Sequence, residues 1–124
     1  MKIKNLLLLL VLAVLVAGCA TVNRSSNVSG EWDWTCPGSA YYGKMELRQA
    51  ADGSITGRMF ETSGGNGGRI KGTLKGNYLQ FTRTWGQYEQ RYHLALSPDG
   101  RELSGMFEGE RDHSVGTDFE AKRK

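Results

Sequence analysis

The stretch Glu108-Gly109-Glu110-Arg111-Asp112-His113 gathers three carboxylates and an imidazole within six residues, a set that in principle could hold a divalent cation. Its spacing follows neither the alternating oxygen ligands of a calcium loop nor the short fixed intervals of a zinc motif, so it reads as a solvated hairpin loop. His93 lies between Tyr92 and Leu94 in a stretch of alternating apolar residues, which turns its ring away from their face and toward solvent. Cys36 has no neighbouring base to make it a nucleophile. The run Gly64-Gly65-Asn66-Gly67-Gly68 lacks the Gly-Lys-Ser/Thr ending of a phosphate cradle and precedes a strand rather than a helix; it is expected to be a loop flanking a site. Lacking a nucleophile with its base, a carboxylate pair or a ligand cluster, the sequence predicts a binding protein rather than an enzyme, with no metal and no cofactor.

Where such a protein would work is set by its first residues. Lys2 and Lys4 precede an apolar run from Leu6 to Ala17, and the small residues Ala17 and Gly18 stand before Cys19. A basic start, a short apolar segment and a small-residue site make a secretion signal. The run is too short to cross a bilayer core as a helix, which takes about 18 to 20 residues.

Val16-Ala17-Gly18-Cys19 resembles the bacterial lipobox. The resemblance implies removal of residues 1–18 and acylation of Cys19 on its sulfur and its new amino group by palmitate-type chains. Each buried methylene contributes about 0.8 kcal/mol, so several chains on one residue anchor a soluble domain. Ala20, where an aspartate would retain the protein at the inner membrane, implies an outer-membrane address facing the periplasm. Without residues 1–18 the chain carries 14 basic and 13 acidic residues, a balance that leaves no basic stripe for nucleic acid. With Cys19 acylated, Cys36 has no intramolecular partner. It is then either a buried small hydrophobe or a thiol open to an intermolecular bridge.

Residues 19–29 are polar beyond the cysteine and read as a flexible tether, and residues 30–124 as one domain. In that domain apolar and polar residues alternate, and turn residues interrupt every eight to twelve positions. The pattern predicts eight strands, near 31–35, 40–49, 54–61, 69–75, 77–85, 88–97, 102–108 and 115–122. Asp52-Gly53, Gly76-Asn77 and Asp99-Gly100 supply the positive φ of tight hairpins. Short links make sequence neighbours antiparallel partners, and eight such strands hide their edges by closing into an up-and-down barrel. The fold class is therefore all-β. Gly57, Gly72 and Gly105, in "SITGRMF", "RIKGTLK" and "ELSGMFE", fall on the inward face, where bare backbone lets strands coil tightly.

Gly30-Glu31-Trp32 at the head of the first strand resembles the G-x-W signature of the calycin barrels, the lipocalins and avidins. The resemblance implies that Trp32 closes one end of the barrel and that a basic residue of the last strand, Arg123 or Lys122, lies across its ring. "LQFTRTW" and "VGTDF" are similar to avidin strands that line the biotin site, implying a pocket wall at Trp85 and a polar contact at Asp118. Met59 stands where avidins carry a tyrosine, and no tryptophan follows Trp85, so biotin itself is not expected. Bacterial lysozyme-inhibiting lipoproteins are also small eight-stranded barrels, but their Ser-Gly-x-x-Tyr-type loop is not found here.

Two readings follow. In one, the open end of the barrel holds a small apolar or aromatic ligand in a shallow pocket, with Trp34, Phe81, Trp85, Tyr92 and Asp118 as the contacts. In the other, the interior is filled and the surface or loops engage an envelope protein, in the manner of an inhibitor. An eight-stranded bore is just wide enough for either.

Overall fold

The computed structural model describes residues 26–109 and 116–124. Eight strands run in chain order: β1 Gly30–Thr35, β2 Tyr42–Gln49, β3 Ser54–Glu61, β4 Gly68–Lys75, β5 Tyr78–Trp85, β6 Tyr88–Leu96, β7 Glu102–Gly109 and β8 Thr117–Arg123. Each pairs antiparallel with the next, and β8 returns to β1, so the sheet closes as a meander barrel. The edges predicted from alternation match these bounds to within two residues.

Alternation places the side chains. In β2, Met45 and Leu47 are buried while Lys44, Glu46 and Arg48 face solvent, and the other strands repeat the pattern. Gly53, Gly76 and Gly100 turn three hairpins with φ of 88°, 61° and 73°, a region in which a Cβ is strained. A Cβ on Gly57, Gly72 or Gly105 would fall against the carbonyl oxygen of Glu46, Gln80 or His93 of the neighbouring strand. These glycines thus serve close strand approach within a tightly coiled sheet.

The two ends of the barrel differ. At one, the chain arrives through Ser26–Ser29, and Val28 is fully buried, so the last residues of the expected tether are joined to the core. The indole of Trp32 donates to the Val28 carbonyl at 2.9 Å, and Gln49 Oε1 accepts from the Val28 amide at 3.0 Å. At the other end lie the β1–β2, β3–β4 and β5–β6 connections. Residues 110–115 of the expected cation loop lie outside the described residues. Between the ends the bore is filled by Met45, Ile55, Met59, Leu79, Leu94 and Leu103, all fully buried.

Candidate functional site

Four aromatic rings cap this packed interior on the side away from Trp32. Phe81 and Tyr92, cross-strand partners on β5 and β6, stack with ring centroids 4.5 Å apart. Phe107 stacks on Tyr92 at 4.9 Å, and Phe119 meets Tyr92 edge-on at 5.0 Å. Above them opens a cavity of about 500 Å³ lined by Trp34, Cys36, Glu61, Asn66, Arg83, Trp85, Gln90, Tyr92, Phe107 and Thr117, with Ser39 and Tyr41 at its rim.

Arg83 is the unusual member. Strict alternation on β5 turns Leu79, Phe81 and Arg83 inward in succession, and Arg83 is 6% exposed. Its guanidinium carbon sits 4.5 Å from the centroid of the Trp85 ring. Its Nη1 donates to Gln90 Oε1 at 3.3 Å, and its Nη2 donates to the Asn66 carbonyl of the glycine-rich loop. Among the described residues the Nε has no acceptor, nor does the indole Nε1 of Trp85, and both atoms are buried. No carboxylate among the described residues lies within ion-pair distance of Arg83. Gly68 makes room for this side chain: a Cβ there would stand 2.7 Å from Arg83 Cγ.

The neighbouring groups are neutral or turned aside. Burial pushes the Cys36 thiol up to about 11, with Glu61 adding to the rise and Arg83 opposing it. Burial likewise holds the Tyr92 hydroxyl at about 12, and this hydroxyl donates to Gln90 Oε1 at 2.9 Å. Gln90 thus accepts from both Tyr92 and Arg83 and fixes them to one point. The Glu61 carboxylate rests over Gly65, in space that any side chain there would occupy. Cys36 is therefore a protonated, buried thiol at neutral pH, poorly suited to nucleophilic work.

The structure brings together three of the five residues expected at a ligand site: Trp34, Trp85 and Tyr92 line the cavity. Phe81 does not line it: it lies one layer deeper, stacked on Tyr92. Asp118 is not brought to the cavity: Thr117 and Phe119 take the inward positions of β8, so Asp118 projects to solvent opposite Met106. Arg83, Gln90 and Glu61 were missed. For Arg83 the signal was present, since it falls between the inward residues Phe81 and Trp85, but its charge argued against an interior place.

At the far end, Trp32 is fully buried and pairs across the sheet with Arg123, whose guanidinium carbon lies 4.5 Å from the ring centroid. Lys122 faces outward. Gly30 begins β1 at φ 133°, against the Arg123 guanidinium. On the outer wall His93 Nδ1 bonds the Tyr78 hydroxyl at 2.7 Å, and Glu108 lies 3.5 Å from both His93 and Arg91. Among the described residues no His, Cys, Asp and Glu cluster is arranged to hold a metal ion.

The barrel is of the general kind found in calycins. A comparison with family models finds none that matches the sequence, and a comparison with curated proteins finds no match either.

Proposed function

We propose that the chain is a lipid-anchored envelope protein, not an enzyme, whose barrel holds a small ligand with an apolar or aromatic body in the cavity beside Trp34, Trp85 and Tyr92. The observation that carries this reading is the incomplete filling of one end. The bore is packed solidly up to the aromatic layer, whereas above it aromatic and polar side chains line open volume. Concave sites of this kind, apolar walls with a few fixed polar groups, are what small-molecule pockets consist of.

Anchoring at Cys19 rests on the lipobox-like sequence alone. Because the chain joins the barrel at the Trp32 end, an acylated Cys19 would hold that end toward the bilayer and leave the cavity facing away. The chain from Cys19 to Val28 is short, with an r.m.s. reach of roughly 17 Å, so the domain would stay near the membrane surface. An outer-membrane position facing the periplasm follows from Ala20 on the same grounds.

A second reading, docking of an envelope protein on the rim, draws on Tyr41 and Tyr42, which are 59% and 50% exposed beside the β1–β2 connection. Native mass spectrometry of the chain purified from membranes separates the two. A copurifying small molecule that Trp85→Ala releases supports the pocket reading. A chain free of small molecules, whose tryptophan fluorescence no apolar or aromatic compound changes, overturns it in favour of docking.

A further inference from the structure

The cavity is lined by a buried cation that has no counterion among the described residues. Arg83 is almost fully enclosed, yet among the described residues it meets no carboxylate at ion-pair distance. Burying a charge without a partner is costly. Its two neutral acceptors, Gln90 Oε1 and the Asn66 carbonyl, satisfy part of the guanidinium and leave Nε without an acceptor among the described residues. One ring away the Trp85 indole N–H lacks one there as well. Two buried donors without acceptors among the described residues are adjacent in space through the cation–π stack, and the residues that carry them line one cavity. Native proteins leave few buried donors unpaired, and those that remain call for an explanation.

We propose that Arg83 and Trp85 are the anion-reading end of this cavity, so that its ligand is a small organic carboxylate whose aromatic or apolar body packs on Trp34, Tyr92 and Phe107. This inference rests on the pocket reading above and specifies the ligand's charge. A carboxylate supplies what the site lacks: negative charge for the guanidinium and oxygen acceptors for Nε and the indole N–H. Arginine suits that task through its planar fork of donors. The aromatic lining suits the remainder of the molecule, since Trp34, Tyr92 and Phe107 all line the cavity. Glu61 is the opposing charge on the same wall. Its carboxylate is turned over Gly65, so it weakens the attraction for an anion without cancelling it by contact.

Matched pairs of probes test this: benzoate, phenylacetate and 2-naphthoate, each against its own carboxamide, titrated into the full chain held in amphipol, with amphipol alone as blank. Each pair shares one body and differs in charge. The expected result is tighter binding of the carboxylates by about tenfold or more, the value of a charge-assisted hydrogen bond. Arg83→Met should bring carboxylate affinity down to that of the amide and leave amide affinity in place, and Arg83→Lys should keep part of the preference. Glu61→Gln, which leaves Arg83 intact, should tighten the carboxylates alone, by about two- to fivefold. Equal affinities within every pair, or a preference for the amides, would overturn the anion site while the pocket reading stands. Binding of neither member of any pair at millimolar concentration overturns both. A purely structural Arg83 would show as a lower melting temperature for Arg83→Met with the pair preference unchanged, and this too overturns the proposal.

Discussion

Each end of the barrel carries an arginine laid over a tryptophan at the same 4.5 Å, and the two pairs differ in everything else. Arg123 spends all three of its nitrogens on backbone carbonyls: Nε on Gly100 at 3.1 Å, Nη1 on Ser29 at 2.7 Å and Nη2 on Asn27 at 2.6 Å. It thereby ties the last strand, the β6–β7 hairpin and the incoming chain into one knot over Trp32, whose own indole is bonded. Among the described residues Arg83 reaches one loop carbonyl and one side-chain amide, and both it and Trp85 keep a donor without an acceptor. The comparison teaches that a cation–π stack does not define a role. Whether the polar atoms around it are saturated from within separates a structural clasp from a site awaiting a ligand.

Breaking the closed end should cost most. Trp32→Ala removes the fully buried plug of that end and is expected to destabilise the fold by about 3 to 5 kcal/mol, read by urea unfolding. Arg123→Met keeps the plug but frees three carbonyls, and should cost about 1.5 to 3 kcal/mol. Arg83→Met removes a buried, incompletely paired charge, so its effect on stability should stay within about 1 kcal/mol of zero. A loss for Arg83→Met as large as that for Arg123→Met would erase the distinction between the two ends.

A change visible only at high pH adds to the same contrast. Cys36 ordinarily titrates near 9.0 and is raised to about 11 in the fold, and Tyr92 goes from 10.0 to about 12. The native state therefore holds these protons more tightly than the unfolded chain. Their contribution is complete below about pH 9 and is lost as pH rises through 9 to 11 for Cys36 and 10 to 12 for Tyr92. Cys36→Ala should flatten the first part of that decline in a series of unfolding curves and leave the second. At pH 8 the wild-type thiol should react with iodoacetamide more slowly than a free cysteine, because little thiolate is present.

The barrel itself was legible because period-two alternation is a direct image of a sheet with one dry face. Trp32, Trp34, Met45 and Leu47 follow that rule, and glycines with positive φ mark three of the hairpins between such runs. The site was legible only where it is aromatic. Trp34, Trp85 and Tyr92 stood out as rings on the inner face, but the sequence does not show that Tyr92 stacks on Phe81, since stacking across strands depends on register. Asp118 misled because a local likeness to another barrel was followed against the alternation of Thr117 and Phe119, and alternation prevailed. Arg83 failed in the opposite way. The same alternation marks it as inward, and only the expectation that a charge stays outside removed it from view.

The difference between the two ends can be read in one experiment. In a 15N–1H correlation spectrum of the full chain, with arginine Nε and tryptophan indole signals assigned by substitution, 2-naphthoate is added stepwise. The signals of Arg83 Nε and Trp85 Nε1 should move together and saturate, while those of Arg123 and Trp32 stay where they are. Movement of the Arg123 and Trp32 signals instead, or of none of the four, would contradict the account.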